Sequence, residues 1–341
     1  MQGLDTRRKH RIPVIGIDGT NFSLIRVMVR ILVTLGLLSY IVLKIDIQEV
    51  THTLQNANLA YLFGVLVLSV AVNVLYSYIW KLVLTAQGIS VPFLRLLTLQ
   101  YIGLFFNNFM PTVVGGDAIK AYQLSRYTTK SMDSALSVLV TRLISYYALL
   151  LIATVSLLAG GWRIGLPTSA AFLLISLTSG VTLMFLLSGR LLLLFCHNPI
   201  IRKIPYTKMA LGTVHASLIQ LQNRRSLAAL SLVNGVACNI LGVLSNYLLA
   251  LALGLSIPLY YFFLFVPLVT FLLALPISIS GFGLREGAFV VFLVPLGISV
   301  SAAVSLSLLG HFVRIVSSLG GGVFYALRQK GIRDYAVPRK D

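Results

Sequence analysis

The stretch "NNFMPTVVGGDAIKAY", Asn107 to Tyr122, decides how the chain folds. It begins at the end of a long apolar run, yet it places Pro111, Gly115, Gly116 and Asp117 where the hydrocarbon signal is still strong. Proline and paired glycines interrupt a helix, and a carboxylate at membrane depth is costly and marks a pathway. Only nine of the 341 residues are Asp or Glu, so an acid at this point is not background.

The composition sets the solvent. Charged residues make up 11% and hydrophobic residues 57% of the chain, against roughly a quarter charged in a soluble domain. Several apolar stretches reach about 20 residues, the length that crosses a bilayer core. The sequence therefore predicts an all-α polytopic membrane protein. Two cysteines, Cys196 and Cys238, supply neither a disulfide framework nor metal-ligand spacing. No cofactor and no metal are expected. The N-terminus shows no cleavable leader, so the first span is expected to act as the targeting signal.

A net charge of +18 invites a nucleic-acid reading, but its distribution argues against one. Basic residues gather at Arg7, Arg8, Lys9 and Arg11, at Arg126 and Lys130, and at Arg202, Lys203, Lys208, Arg224 and Arg225. They gather again from Arg328 to Lys340, while the intervening loops hold chiefly Lys44 and Arg163. That alternation is the positive-inside bias. It predicts both termini in the cytoplasm of a cell with this protein in its inner (plasma) membrane, with a basic face toward anionic lipid. No nucleic-acid recognition module accompanies the charge.

Hydropathy predicts six spans, at 27–44, 59–82, 133–159, 167–188, 227–254 and 300–326, with an amphipathic cytoplasmic connector at 190–226. Two apolar segments remain, 92–125 and 258–297. The charge bias lets neither cross fully, and each is broken by Pro and Gly near its middle: "MPTVVGGDAIK" and "LPISISGFGLREG". Each reads as a re-entrant helical hairpin. Broken backbone at that depth must be buried in protein or face a wet cavity. The order span, hairpin, span then occurs twice, first over 59–160 and again, inverted, over 227–327. Paired broken segments in inverted halves point to a transporter-type site at the midplane. The domain plan is a basic cytoplasmic segment 1–26, one transmembrane domain 27–327 and a basic tail 328–341.

The candidate substrate-binding residues follow from the hairpins. In the first, Asn107 and Asn108 end the entering half-helix and Gly115 and Gly116 permit a close turn. Asp117 then reads either as a helix N-cap or as a charged wall of the path, with Lys120 one turn along to neutralise it or hold an anion. Gln100, Gly103 and Asn107 share a face of the entering half-helix. In the second hairpin Ser278, Ser280, Gly281 and Gly283 precede Arg285 and Glu286. A helix starting near Leu284 would direct free amides into the cavity, and the Arg285 fork suits phosphate. Glu286 reads also as a capping residue at the third helical position. Arg314 lies inside the last apolar run among Ser307, His311 and Ser318, and needs a partner such as Glu286 or Asp117. Polar and small stripes on the fifth span (Gly235, Asn239, Gly242, Asn246) and third span (Ser134, Ser137, Thr141, Ser145) read mainly as packing faces. No Walker A loop, zinc motif or nucleophile elbow occurs, so no catalytic residue is proposed from sequence.

The pair "FFNNFMPTVVGGDAIKAYQLSR" and "LPISISGFGLREGAFV" resembles the transmembrane, flippase-like domain of lysylphosphatidylglycerol synthases. The resemblance implies a lipid-translocating fold, with Asn107, Pro111, Gly115, Gly116, Asp117, Gly281, Gly283 and Glu286 at the family's motif positions. Relatives often carry Pro-Gly-Gly where this chain has "SISG". The soluble aminoacyl-transfer domain of the full synthases has no counterpart in this sequence, so lipid aminoacylation by this polypeptide is not expected. Taken together, these features predict a transporter that moves the headgroup of an anionic lipid, either a phospholipid or a polyprenyl-phosphate-linked glycan. A glycosyltransferase or lipid-modifying enzyme is a fitting partner. The alternatives are a membrane-embedded headgroup enzyme using Asp117 or Glu286 as general base, and a non-transporting scaffold or regulator.

Overall fold

The structure is a computed structural model that describes residues 39, 47–109, 115–128, 130–160, 207–274, 278 and 281–331. The first predicted span apart from residue 39, the fourth predicted span, Pro111, Ser280, Cys196 and the connector before residue 207 lie outside the described residues. Among the described residues there are ten α-helices and no strand. In chain order they are α1 (Ile47–Gln55), α2 (Leu59–Ala86), α3 (Phe93–Phe109), α4 (Gly115–Ser125) and α5 (Ser131–Gly160). Then come α6 (Thr207–Asn223), α7 (Arg225–Ala252), α8 (Leu259–Ala274), α9 (Leu284–Leu293) and α10 (Val300–Gly331).

Among the described residues four helices, α2, α5, α7 and α10, are long and apolar enough to cross a bilayer. Their outward faces carry Phe63, Val67, Val155, Leu158, Val233 and Phe312, all more than half exposed. Large apolar groups left outside in this number would be an association hazard in water, but they match hydrocarbon. The chain is an all-α, multi-pass membrane protein.

The turns that end α2 and α7 are alike in sequence and in hydrogen bonding. "GISVP" (Gly88–Pro92) follows α2 and "GLSIP" (Gly254–Pro258) follows α7. Gly88 and Gly254 have positive φ, 72° and 70°, which only glycine adopts freely. The next residue reaches back in each case, Ile89 N to Leu84 O and Leu255 N to Ala250 O, both at 2.9 Å. Each turn then delivers a proline that opens the following helix, with Arg95 N and Tyr261 N donating to Pro92 O and Pro258 O at 3.1 Å. Both α2 and α7 have 28 residues.

Among the described residues these two helices form the most extensive contact, and they run antiparallel. Asn58 N donates to Ala252 O at 2.8 Å at one end, and Arg224 Nη1 to Thr85 O at 3.3 Å at the other. The remaining contacts come in matched pairs. As α3 packs on α10, so α8 packs on α5; as α4 packs on α5, so α9 packs on α10. The short helices pair as antiparallel hairpins. Gln100 and Asn107 of α3 meet Lys120 and Gly116 of α4, while Phe265 of α8 meets Phe289 of α9 and Leu273 faces Gly281. Peripheral pieces are tied on by polar contacts: Ser299 Oγ donates to Glu49 of α1 at 2.6 Å, and Gln87 Nε2 to Ser217 Oγ of α6 at 2.8 Å.

The α3–α10 crossing brings backbone against backbone. A Cβ on Gly321 would lie 1.9 Å from Tyr101 O, whereas one on Gly320 would meet nothing within 4 Å. Gly321→Ala is therefore expected to lower stability by about 1–3 kcal/mol, the range for overpacking, and Gly320→Ala not to lower it, since alanine favours a helix over glycine. Thermal melting of the detergent-solubilised variants measures this; equal midpoints would show that α3 and α10 separate at no cost.

Candidate functional site

The break between α3 and α4 is held by side chain and backbone together. Gly116 N donates to Asn107 Oδ1 at 2.8 Å, satisfying one amide of the first turn of α4. A Cβ on Gly116 would stand 1.9 Å from Gly103 O, so the two half-helices meet backbone to backbone. Asn108, the neighbour of Asn107, turns to the opposite side and donates to Ser318 Oγ of α10 at 2.9 Å.

Asp117 is buried as the third residue of α4. One oxygen meets Lys120 Nζ at 2.7 Å and the other meets Arg142 Nη1 of α5 at 2.8 Å. Among the described residues its partners are cations rather than amides, and Asn107 performs the capping instead. Lys120 is enclosed: its ammonium donates to Gln100 Oε1 at 3.0 Å and lies near the rings of Tyr76 and Trp80. Gln100 continues to Asn73 Oδ1 of α2 at 3.2 Å. A chain of polar contacts thus joins α2, α3, α4 and α5 around one carboxylate.

The second break is built differently. Gly281 and Gly283 have φ of 82° and 77° and turn the chain into α9. Glu286 is the third residue of α9, as Asp117 is of α4. Its Oε2 accepts from Gly283 N at 2.7 Å, which realises the capping reading and removes an amide the sequence left free for an anion. Its Oε1 accepts from Ser307 Oγ at 3.0 Å and lies 3.3 Å from His311 Nε2 of α10. The His311 ring stacks on Phe282, with centroids 4.7 Å apart.

Arg314 does not pair with Glu286 or Asp117. Its guanidinium Nη2 sits on His311 Nδ1, so the expected ion pair is replaced by a contact through the imidazole. Arginine has no acceptor, so Nδ1 must accept and the ring proton belongs on Nε2, facing Glu286. Arg285 lies against the same stretch of α10: its Nη1 is 4.0 Å from where a Cβ on Gly310 would stand. Among the described residues neither Arg285 nor Arg314 has a carboxylate within ion-pairing distance.

Over residues 27–321 the sequence matches the lysylphosphatidylglycerol synthase TM region. The chain belongs to that family. It is also 31% identical over 105 residues to a UPF0104 membrane protein of Methanocaldococcus jannaschii, a match covering 30% of this chain and 30% of the relative. A UPF0104 membrane protein of Methanothermobacter thermautotrophicus is 28% identical over 113 residues, 32% of this chain and 33% of its own length.

In this member of the family the sequence-derived candidates thus fall into two groups. Asn107, Gly116, Asp117 and Lys120 come together with Gln100 around the first break, and Gly115 begins α4 there. Gly281, Gly283, Arg285, Glu286 and Arg314 gather around the second, and Asn108 links the first hairpin to the α10 turn beyond Arg314. Ser280 lies outside the described residues. Arg142 is absent from the sequence-derived set, although an arginine within an apolar run carries the same signal that marks Arg314. A second signal is spacing: Arg142 follows Asp117 by 25 residues, and His311 follows Glu286 by 25. Tyr76 and Asn73 are legible only from the fold.

Asp117 stands between the buried Lys120 and the half-buried Arg142, so removing its charge leaves two neighbouring cations without their carboxylate, whereas Arg142→Gln leaves Asp117 paired with Lys120. Asp117→Asn is expected to cost about 3–5 kcal/mol, the range for breaking a buried ion pair, and Arg142→Gln clearly less. Thermal midpoints of the purified variants test the order. An Asp117→Asn protein as stable as wild type would mean that the two cations are satisfied elsewhere.

Proposed function

We propose that this protein translocates the headgroup of an anionic lipid, a phospholipid or a polyprenyl-phosphate-linked glycan, across the inner membrane. The observation that carries the reading is the pair of interrupted helices, α3/α4 and α8/α9, each bringing a buried carboxylate and cations into the interior of an apolar bundle. Ionisable groups buried inside a membrane bundle mark a substrate or ion path. A path for a charged headgroup beside lipid-facing helices lets acyl chains stay in hydrocarbon while the head crosses.

In this reading α3/α4 and α8/α9 are re-entrant hairpins, and residues 59–160 and 227–327 are inverted repeats within one domain spanning 27–327. Three features support the repeat. The turns after α2 and α7 share glycine, serine and proline at matching positions and the same hydrogen bonds, the helix contacts occur in corresponding pairs, and the corresponding helices α2 and α7 run antiparallel. Antiparallel equivalent helices require the two units to have opposite orientations. Inverted repeats with broken helices are a framework for alternating access to a midplane site. The basic segments 1–26 and 328–341 lie in the cytoplasm, and an enzyme that makes or modifies the lipid is the natural partner.

Two measurements test this. In a background with Cys196 and Cys238 replaced by Ala, Ser90→Cys and Ser256→Cys place exposed thiols in the two matching turns. An impermeant maleimide is expected to label Ser90→Cys only from the cytoplasmic side and Ser256→Cys only from outside; labelling of both from one side would remove the inversion. For transport, the purified chain in liposomes is expected to expose fluorescent phosphatidylglycerol of the inner leaflet to dithionite faster than empty liposomes do. Equal rates for phosphatidylglycerol and for a polyprenyl-phosphate sugar, both at the protein-free level, would defeat the reading.

A further inference from the structure

The matched acids of the two hairpins meet different partners: Asp117 meets Arg142, and Glu286 meets His311 at the corresponding place. His311 is buried within α10, and its ring stacks on Phe282. Nδ1 takes an N–H of Arg314. Nε2 lies 3.3 Å from Glu286 Oε1, without the alignment of a hydrogen bond. Because arginine only donates, the ring is neutral in this arrangement and carries its proton on Nε2. A second proton can enter only at Nδ1, where it would stand against a guanidinium N–H. The proton and Arg314 compete for one lone pair.

The charges around the ring set the terms of that competition. From α9 the ring faces Glu286, and Arg285 lies over the neighbouring Gly310. From its own helix it meets Arg314. The other helices packed on α10 are α1, α2, α3 and α7. In α3, Asn108 donates to Arg314 O at 3.4 Å, and the one ionised residue, Arg95, sits at the opposite end of the helix. Lys81 is the only ionised residue of α2 and Arg225 that of α7, while their tyrosines stay neutral near pH 7. The acid of α1, Glu49, takes Ser299 Oγ, about 18 Å along α10 from His311 at 1.5 Å per residue. With Arg314 in place the ring stands among one acid and two arginines. Once Arg314 withdraws, an imidazolium is left beside Glu286 and can pair with it.

We propose that His311 is a proton-binding site that is occupied in exchange for Arg314. The proton comes from water reaching the break and bonds to Nδ1; Arg314 keeps its own charge, and Glu286 balances the charge gained. Arg142, at the corresponding place in the first hairpin, stays charged and cannot make this exchange. The histidine thus gives one hairpin a response to pH that the other lacks. Taken with the translocation reading, on which this step alone rests, freeing Arg314 by a proton ties headgroup movement to proton uptake.

The exchange is tested without lipid movement. The full chain with isotope-labelled histidine, in detergent micelles, is titrated by NMR from about pH 9 to about pH 5, a range that brackets histidine. The His311 signals are those missing from His311→Gln. At the alkaline end the ring is expected to carry its proton on Nε2, and acidification to add one at Nδ1. Arg314→Met removes the competitor and is expected to raise the midpoint by about one pH unit or more; Glu286→Gln removes the counter-charge and is expected to lower it similarly. Arg314→Gln keeps an N–H donor without the charge and should give a smaller rise, which decides the matter if Arg314→Met does not fold. A ring protonated at Nδ1 at the alkaline end overturns the proposal. So does a midpoint unmoved in both Arg314 variants, or a wild-type ring still neutral at the acid end. In liposomes, albumin extraction of short-chain fluorescent phosphatidylglycerol is expected to be about threefold faster at pH 6 than at pH 8, and level in His311→Gln. The expected titration in a protein that moves no lipid at either pH would retain the proton site and reject translocation. Lipid movement as pH-dependent in His311→Gln as in wild type would reject the coupling and leave translocation standing.

Discussion

A helix that stops inside an apolar bundle leaves amide hydrogens that hydrocarbon cannot receive, and the architecture turns on meeting that demand from within. Both breaks do so with a side chain placed by the hairpin itself. Asn107, from the last turn of α3, takes the Gly116 amide across the gap; Glu286, from the first turn of α9, bends back to the Gly283 amide. The first solution leaves Asp117 to deal with cations, and the second engages the acid as a cap. That single difference in who caps the helix separates a framework held by ion pairs from one in which, among the described residues, neither Arg285 nor Arg314 pairs with an acid.

Much of this was legible in the sequence because the bilayer imposes length. The long helices α2, α5, α7 and α10 lie within a few residues of the stretches that hydropathy marks, since a span must bury some 20 apolar residues whatever its neighbours. The breaks were legible from Pro and Gly, which limit helices locally. What the sequence could not provide is which faces meet. Asp117 reads equally as a cap or as a charge until Arg142 is seen opposite it. Arg314 requires a partner, but only the stacking of His311 on Phe282 shows that the imidazole intervenes. The matching turns "GISVP" and "GLSIP" are plain in the letters, but their significance depends on finding the same hydrogen bonds in both.

Corresponding positions can carry different chemistry on one framework. Arg142 and His311 are each the twelfth residue of their helices, α5 and α10, and each faces the acid on the preceding short helix. One is a cation under all conditions; the other is an imidazole between an acid and an arginine. Geometry is retained while charge is not, and the asymmetry is confined to a few side chains.

The crossed contacts of the hairpins have a mechanical consequence. Because α3 lies on α10 and α8 lies on α5, neither half is a free-standing body that could swing on a hinge. Each grips the closing helix of the other, as two hands clasped with the fingers interlocked. The backbone approach of Tyr101 to Gly321 fixes one grip at near-contact distance, so loosening it takes α3 and α10 apart together. Opening either grip therefore disturbs both halves at once.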